Sequence, residues 1–242
     1  MSAPWIFPDW DAPATIGAAV TTRQGPGVSV APYDRLNLGL RSGDDQAAVG
    51  ANRAVLAPAL HLPAEPLWLR QVHGIGVVEA PQEDEPAADA AVARGPGQVL
   101  AILTADCLPV LFVSADGGTI GAAHAGWRGL AAGVLENTVA TMAADGIQAW
   151  LGPAIGAASY EVGEEVRAAF VDADPGAAGV FSPTRPGHWL CDLYELARRK
   201  LATAGVATVS GGGFDTFRDE RLYSYRRDGA ASGRFATLIW TR

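Results

Sequence analysis

The sequence predicts an α/β (α+β) fold in which mixed β-sheets carry helices on their outer sides. Short strand-like runs are mixed with longer segments of helical periodicity, and their order is not the strict alternation of a simple Rossmann domain. Hydrophobic residues make up 49% of the 242 residues and charged residues 18%, which is ample for a well-buried core. At this length we expect one domain over residues 1–242.

Local patterns predict where the individual elements lie. Apolar runs predict strands over residues 77–80, 99–103, 109–113, 119–123, 147–151 and 236–240. Helical periodicity covers residues 45–60, 129–144, 161–172 and 193–204. At the start of the last helix, Asp192 and Glu195 have the spacing of a capping box, in which each side chain accepts from a free backbone N–H.

A strong turn signal, Ala-Asp-Gly-Gly at residues 115–118, joins two of these strands and predicts an antiparallel hairpin. If the turn centres on the Asp-Gly pair, His124 faces Pro109, and Cys107 lies about 7 Å farther along that strand. A thiolate and an imidazole at this separation can both reach one metal ion. His73 would then have to arrive from the preceding strand-like segment.

The composition indicates in which cellular compartment the protein is expected and which binding partners are disfavoured. Two cysteines far apart in sequence form neither a disulfide framework nor a C-x-x-C pair, so we expect a cytoplasmic protein with reduced thiols. The first residues do not resemble a signal peptide, and no run reaches the roughly 18 apolar residues of a membrane span. The 18 basic and 26 acidic residues give a net charge of −8, which argues against binding of long nucleic acids.

Three of the few chemically versatile side chains stand in apolar, glycine-rich surroundings. They are His73 in Q-V-H-G, Cys107 in T-A-D-C-L-P-V-L-F and His124 in A-A-H-A-G-W-R-G. A thiol and two imidazoles can hold zinc or carry out nucleophilic chemistry. The alternative is that Cys107 is a small buried apolar residue and both histidines are structural, because the three form no compact zinc motif. The remaining residues of these types are expected to be structural: His61, His188 and Cys191.

Arginines are the candidate anion-binding groups, because the chain contains one lysine, Lys200. Arg128 in G-W-R-G lies at the predicted start of a helix, where free N–H groups and the helix dipole favour a phosphate. Arg23 in T-T-R-Q-G and the pair Arg226 and Arg227 in Y-S-Y-R-R-D-G are further candidates. Each could instead be structural or form a surface ion pair.

An ordered set of motifs along nearly the whole chain resembles that of the YfiH-like proteins. Members of this family have been called laccase-domain or polyphenol-oxidase proteins, peptidoglycan editing factors and purine nucleoside phosphorylases. The motifs are T-T-R, L-N-L-G, G-D-D, N-R, Q-V-H-G, T-A-D-C-L-P-V-L-F, A-A-H-A-G-W-R-G, W-L-G-P-A-I-G, Y-E-V-G and S-Y-R-R-D-G. The resemblance implies a layered α/β/β/α sandwich with mixed sheets and a metal site formed by His73, Cys107 and His124.

The resemblance also implies an activity. It is phosphorolysis of adenosine, inosine, guanosine and methylthioadenosine to a free base and ribose 1-phosphate, with deamination of adenosine. A nucleoside and inorganic phosphate would be the partners of a monomer. Zinc is expected rather than copper, because two histidines and a thiolate leave one zinc position open. The candidate substrate- or phosphate-binding residues are Arg23, Asn37, Arg128, Tyr160 and Arg226.

One position departs from the family pattern. Family members commonly carry a Cys-Thr pair shortly before F-S-Y-R-R, whereas this chain has Asp215 where that cysteine would stand. A role that depends on a second thiol is therefore in doubt for this chain. The set of His73, Cys107 and His124 is unaffected.

Three other functions compete with phosphorolysis. A copper polyphenol oxidase resembles multicopper enzymes with paired H-x-H motifs and roughly ten histidines, whereas this chain has 4, none so paired. An amide hydrolase acting on peptidoglycan precursors would use Cys107 as nucleophile and His124 as base. A binding module with a purely structural zinc would need a fourth protein ligand, and no convincing one is visible.

Overall fold

The computed structural model describes residues 4–242. Its strands are β1 (Trp5–Ile6), β2 (Ile16–Thr21), β3 (Val77–Glu79), β4 (Ala90–Arg94), β5 (Val99–Thr104), β6 (Leu108–Val113), β7 (Thr119–Ala125), β8 (Gln148–Leu151), β9 (Glu161–Gly163), β10 (Phe181–Arg185), β11 (His188–Cys191), β12 (Thr208–Gly211) and β13 (Phe235–Thr241). Its α-helices are α1 (Gln46–Ala54), α2 (Leu56–Leu60), α3 (Trp127–Ala132), α4 (Val134–Met142), α5 (Glu164–Val171), α6 (Leu193–Thr203) and α7 (Tyr225–Asp228). Each helix within the described range is too short or too polar to cross a bilayer.

The strands form three sheets. A four-stranded sheet has the order β1-β2-β13-β5 and is antiparallel throughout, as is a three-stranded sheet with the order β10-β11-β9. A six-stranded sheet has the order β12-β8-β6-β7-β4-β3, and its two outermost pairs are parallel. The expectation of mixed sheets is therefore confirmed for the six-stranded sheet, whereas the other two are purely antiparallel.

Three apolar cores hold four layers together. Side chains alternate between the faces of a strand, so β13 directs Phe235 and Ile239 into one core and Leu238 and Trp240 into another. The first of these cores fills the space between the four-stranded and six-stranded sheets, and the second packs the four-stranded sheet against α2. A further core packs the six-stranded sheet against α3, α4, α5 and α6. This order of layers confirms the α/β/β/α sandwich.

All six predicted strands are present, with ends shifted by one or two residues. Two predicted helices are interrupted. The pattern over residues 45–60 divides into α1 and α2, because Pro58 lacks an N–H and its ring would clash with the carbonyl of Ala54 in a continuous helix. The pattern over residues 129–144 divides at Gly133, whose φ of 106° is left-handed and ends α3.

The segment predicted as one helix over residues 161–172 begins instead with a strand. β9 pairs with β11, and α5 starts only at Glu164. β9 and β11 were not predicted because they are short. β10 was not predicted because it is polar and largely exposed. The small sheet matters for the site, because it holds Tyr160, a predicted substrate-binding residue just before β9. The Tyr160 carbonyl accepts from the N–H of Cys191 at 3.0 Å.

The predicted hairpin is confirmed with its register. β6 and β7 are antiparallel, and Pro109 lies opposite His124. Gly117 in the turn has a φ of 71°, which glycine adopts without strain. Cys107 directly precedes β6, at the point where the chain passes from the four-stranded sheet to the six-stranded sheet. The hairpin therefore brings Cys107 and His124 to one end of the six-stranded sheet.

The start of α6 shows half of the predicted capping box. Oδ1 of Asp192 accepts from the N–H groups of Tyr194 and Glu195 at 2.9 and 3.1 Å. The N–H of Asp192 donates to the carbonyl of Val180, at 3.4 Å, and not to Glu195. The reciprocal bond of the capping box is thus replaced by a tertiary hydrogen bond.

This difference between Asp192 and Glu195 is testable. Asp192→Ala should lower the free energy of unfolding by about 1 kcal/mol, because two N–H groups of α6 lose their acceptor. Glu195→Ala is the matched control and should change it by less than about 0.5 kcal/mol, because this exposed side chain accepts no backbone N–H at the cap. Urea unfolding followed by circular dichroism measures both values. Equal losses in the two variants would contradict this description of the cap.

Candidate metal centre

Three side chains from distant parts of the chain meet at one end of the six-stranded sheet. Cys107 precedes β6, His124 lies near the end of β7, and His73 lies in the loop before β3. Their ligand atoms all lie within 4.8 Å of one another, and Sγ of Cys107 is 3.9 Å from Nε2 of His73. Within residues 4–242 they form the one group of three or more histidine, cysteine or acidic side chains arranged to hold a metal ion.

A buried carboxylate, that of Asp89, holds two of the three ligands in position. Its Oδ1 accepts from Nδ1 of His124 at 2.8 Å and from the N–H of His73 at 2.9 Å. Its Oδ2 accepts from the N–H groups of Val72 and Gly74 at 3.2 and 2.6 Å. Because a carboxylate only accepts, Nδ1 of His124 carries the proton and Nε2 is left free to bind a metal.

Asp89 is charged although it is fully buried. Burial opposes the charge, but the hydrogen bonds from His124 and from the backbone outweigh burial and hold the pKa of the carboxyl below its usual range. Three consecutive backbone N–H groups, those of residues 72–74, form a nest of the kind that binds anions. The loop of His73 is thereby folded around the same carboxylate that orients His124.

Backbone strain marks both loops that carry ligands. His73 has a φ of 60° and Asp106, the neighbour of Cys107, a φ of 91°, values that non-glycine residues rarely adopt. Asp106 is fixed by hydrogen bonds from the Thr216 hydroxyl and the Arg226 N–H, both 2.6 Å long. Such conformations cost on the order of 1 to 3 kcal/mol each and persist where surrounding contacts impose them. The ligand positions are therefore set by the fold around them.

The charges of Cys107 and His124 depend on each other. Burial raises the pKa of Cys107, but the positive charge of His124 and hydrogen bonds from both histidines outweigh it and lower the pKa to about 6. Burial lowers the pKa of His124, but the negative charge of Cys107 and the bond to Asp89 raise it to about 9. At neutral pH the pair therefore favours a thiolate beside an imidazolium, and a bound cation would take the place of the imidazolium proton.

The donor set fits zinc. A thiolate sulfur and two imidazole nitrogens are typical zinc ligands, and a carboxylate behind one histidine is a typical outer partner. Gly126 makes the close approach of the ligands possible, because a Cβ there would lie 3.0 Å from Cδ2 of His73 and 3.1 Å from Sγ of Cys107. No fourth protein ligand joins the group within the described part of the chain. Three protein ligands are characteristic of an open site and not of a closed structural one.

A cavity of about 410 Å³ is lined by the three ligands, a volume that suits a small organic molecule. Its apolar lining includes Leu69, Trp127, Ile155 and Leu193. Four arginines also line it: Arg41, Arg53, Arg226 and Arg234. The cavity thus combines a candidate metal centre, apolar surface and positive charge.

Two of the five predicted substrate- or phosphate-binding residues line this cavity, Tyr160 and Arg226. The guanidinium of Arg226 lies over the Tyr160 ring, 5.4 Å from its centroid. Burial raises the pKa of Tyr160, so its hydroxyl stays protonated at neutral pH and can donate a hydrogen bond.

The other three predicted residues do not line the cavity. Arg23 forms an ion pair with Asp34 at 3.1 Å. Asn37 is fully buried, and its Oδ1 accepts from the N–H groups of Gly39 and Arg234. Arg128 is exposed, and its guanidinium stacks on the Trp127 ring, 4.4 Å from the centroid. α3 begins at Trp127, two residues before the predicted helix start, so Arg128 lies within the first turn of the helix and not before it. Their contacts are those of structural residues, and phosphate binding by them stays a prediction.

The remaining residues of interest also lie outside the cavity lining. Asp215, at the position where the family commonly has cysteine, accepts from the Gly156 N–H at 3.0 Å and the Ser159 hydroxyl at 2.6 Å, which fixes a loop. Arg227 is paired with Asp228 at 2.8 Å. Cys191 is buried, which raises its pKa to about 12, as expected of a structural thiol. His61 and His188 take no part in the metal centre.

Asp89 and Arg234 are the important residues that sequence reasoning missed. Asp89 stands alone in the alanine-rich run A-A-D-A-A-V-A, and a single carboxylate at the start of a buried strand was an available signal. Arg234 offered no local signal. Its place in the cavity follows from contacts with the L-N-L-G segment, 197 positions earlier in the chain.

The dependence of the centre on Asp89 can be measured. Asp89→Asn should weaken zinc binding by about 10- to 100-fold, because an amide cannot accept all four N–H donors and no longer fixes the His124 tautomer. Glu79→Gln makes the same chemical change at an exposed ion pair on β3 and should leave the affinity unchanged. Competition with a chromophoric chelator gives both affinities. Full affinity in Asp89→Asn would refute the role of this carboxylate.

The space at Gly126 provides a second measurement. Gly126→Ala should weaken zinc binding about tenfold. The added methyl group would overpack the site at a cost of about 1 to 3 kcal/mol, and this cost would apply to the zinc-bound state, in which His73 and Cys107 are held against residue 126. Gly50→Ala is the matched control, since a Cβ at Gly50 in α1 meets nothing within 4 Å. The same chelator competition applies. Equal affinities for the two variants would show that the ligands do not close around position 126.

Comparison with known proteins shows which family the whole chain resembles. The family model described as multi-copper polyphenol oxidoreductase laccase matches residues 17–242. A protein named purine nucleoside phosphorylase from Xylella fastidiosa strain Temecula1 is 54% identical over 252 residues, covering 98% of this chain and 96% of the relative. The purine nucleoside phosphorylase YfiH of Escherichia coli strain K12 is 48% identical over 240 residues, covering 97% of this chain and 98% of that protein.

A solved structure shares the whole fold. The crystal structure of Neisseria meningitidis protein NMB0706 matches with a TM-score of 0.95 and 45% sequence identity, and the match covers 99% of each chain. The sequence motifs, the fold and these similarities agree. The chain belongs to the YfiH-like family of laccase-domain proteins.

Proposed function

We propose that this protein is a zinc-dependent purine nucleoside phosphorylase acting on adenosine, inosine, guanosine and methylthioadenosine. The observation that carries the proposal is a single cavity of about 410 Å³ lined both by the His-Cys-His group and by four arginines. Relatives 54% and 48% identical to this chain bear the name purine nucleoside phosphorylase, which supports the same reaction here. The proposed setting is a cytoplasmic monomer that takes a nucleoside and inorganic phosphate as substrates.

Phosphorolysis requires two substrates to be held side by side. An oxygen of hydrogen phosphate forms a bond to C1′ of the ribose, the bond between C1′ and the purine nitrogen breaks, and its electron pair leaves with the base. The base takes up the proton that the phosphate gives up, so the products are a neutral base and ribose 1-phosphate. Guanidinium groups suit this step, because they bind phosphate oxygens bidentately and stay charged.

The rest of the cavity suits a purine nucleoside. Trp127 and the apolar side chains of Leu69, Ile155 and Leu193 offer surface for a flat base. The Tyr160 hydroxyl, kept protonated by burial, can donate a hydrogen bond to a base or sugar. An apolar cavity with a few polar groups is the usual form of a small-molecule site.

His73, Cys107 and His124 would hold the zinc. When bound, zinc would supply a Lewis acid at the cavity wall, which is the chemistry that deamination of adenosine at the same site would need. Asp89 contributes by keeping the proton on Nδ1 of His124, so that Nε2 faces the site. Copper oxidation of polyphenols is not proposed, because the chain has 4 histidines in total and only His73 and His124 are in the centre.

One observation favours amide hydrolysis as a second candidate function. Asp89, His124 and Cys107 stand in the order of an acid, base and nucleophile, with Nδ1 of His124 bonded to Asp89 at 2.8 Å. The pKa of Cys107 is lowered to about 6, so the thiolate is available at neutral pH. An amide bond of a peptidoglycan precursor would be the substrate of such a site.

Product analysis distinguishes the candidates. We expect zinc-loaded protein to convert adenosine to adenine only when inorganic phosphate is present, as measured by chromatography with and without phosphate. Inosine formed in both conditions would show deamination. An absence of nucleoside turnover, together with release of L-serine from a muramyl precursor, would refute the phosphorylase and support the hydrolase.

The two cysteines form a matched pair for testing the site. Cys107→Ala should lower zinc affinity and reduce turnover to near background, because the thiolate is one of three ligands. Cys191→Ala removes the same atom from the core, outside the cavity lining, and should keep both zinc and activity. Zinc content by elemental analysis and adenine formation are the readouts. Full zinc content and activity in Cys107→Ala would overturn the site assignment.

A further inference from the structure

The four arginines of the cavity are not equivalent. Arg41 and Arg53 share one carboxylate, that of Glu85, and both form ion pairs with it. Their charges are therefore partly neutralised within the protein. Arg53 is further occupied by the carbonyl of Leu38, to which its Nε donates at 2.9 Å. An anion that approaches either of these arginines would therefore also meet the negative charge of Glu85.

Arg226 is held in a different way. Its side chain is exposed, lies over the Tyr160 ring and donates from Nη1 to the carbonyl of Glu161 at 3.0 Å. Its N–H donates to Asp106 at 2.6 Å. The residue thus secures the rim of the cavity to β9, and solvent screens its charge.

Arg234 has no carboxylate within ion-pair distance among the described residues. Its Nη1 donates to the carbonyls of Ser232 and Gly233 at 2.7 and 2.8 Å, which fixes the direction of the side chain. Nε and Nη2 find no acceptor within residues 4–242, although the side chain is partly buried. A partly buried cation without a counter-charge is costly, and an anionic ligand removes that cost.

The surrounding residues hold Arg234 in this position. Its N–H donates to the buried Oδ1 of Asn37 at 2.8 Å, and its carbonyl accepts from the N–H of Leu38 at 3.0 Å. Gly39 leaves room for the side chain, because a Cβ there would lie 2.7 Å from Cγ of Arg234. Burial lowers the pKa of Arg234, and the negative charges of Cys107 and Asp106 oppose that change, which places the guanidinium in the field of the metal centre.

We propose that Arg234 is the principal phosphate-binding residue of the cavity, and that Asn37 and Gly39 position it. The free Nε and Nη2 donors lie on adjacent corners of one guanidinium, an arrangement that binds two phosphate oxygens bidentately. Asn37, which the motif suggested as a substrate ligand, then acts through Arg234. This assignment rests on the proposed function, but phosphate binding can be tested without turnover.

The test is calorimetric titration of inorganic phosphate into the zinc-loaded protein, with and without a nucleoside, beside steady-state kinetics. Arg234→Gln should weaken phosphate binding and raise the KM for phosphate at least about tenfold, while the KM for the nucleoside changes less than about threefold. Arg198→Gln is the matched control. Arg198 also donates to two backbone carbonyls, at 2.9 and 2.8 Å, but lies outside the cavity lining.

Two further measurements guard against loss of folding. Gly39→Ala should raise the KM for phosphate by displacing the Arg234 side chain, without removing its charge. In the wild-type protein, inorganic phosphate should protect Arg234 from phenylglyoxal, as read by peptide mass spectrometry, and leave Arg198 unprotected.

The outcomes separate this proposal from the phosphorylase proposal. Phosphate binding that is lost in Arg234→Gln and retained in Arg198→Gln supports the assignment even if no nucleoside is turned over, a result that would refute only the phosphorylase. Phosphate-dependent turnover with an unchanged phosphate KM in Arg234→Gln overturns the assignment and leaves the phosphorylase in place. The assignment is also overturned if phosphate binding is weakened in Arg226→Gln but not in Arg234→Gln. The same holds if the wild-type protein binds no phosphate in either titration.

Discussion

The carboxylate of Asp89 is the group on which the metal centre depends. It has no exposed surface, and burial of a charge is costly unless hydrogen bonds replace the lost water. Four N–H donors do so, three from the loop of His73 and one from His124. The backbone of Asp89 extends the connection, since its N–H donates to Gly76 and its carbonyl accepts from His124. One residue thus joins the loop before β3, the start of β4 and the end of β7.

A second set of hydrogen bonds, made by the partly buried Asp106, ties the C-terminal part of the chain to the same place. Asp106 accepts from Thr216 and from the N–H of Arg226, and its carbonyl accepts from Ile155. These bonds hold the strained turn that presents Cys107. The thiol and the two histidines are therefore fixed by two carboxylates that do not bind the metal themselves. Because both carboxylates are held by several elements, the site is pre-organised by the fold.

The sequence allowed prediction wherever local patterns determine structure. The register of β6 and β7 follows from the Asp-Gly turn, and it placed Cys107 beside His124 correctly. β2 and β4 were missed because their alanine-rich segments have low strand propensity. They are strands because buried positions between the layers of the sandwich accept small side chains. Arg128 was predicted as an anion ligand because a helix start is visible in the sequence. Arg234 was not considered, because its contacts with Asn37 depend on the tertiary fold.

The distribution of charge in the cavity argues for two ligands and not one. Cys107, Asp89 and Asp106 place negative charge around the centre, and a bound cation would compensate the thiolate more fully than the single proton on His124. Glu85 already neutralises much of the charge of Arg41 and Arg53. The charge of Arg234, in contrast, has no carboxylate partner within the described chain. A cation alone would leave Arg234 uncompensated, and an anion alone would lie in the field of the thiolate. With a metal at the His-Cys-His group and an anion at Arg234, the charges of the thiolate and of the guanidinium are both balanced. The apolar surface between these groups is then left for a third, largely uncharged molecule such as a nucleoside.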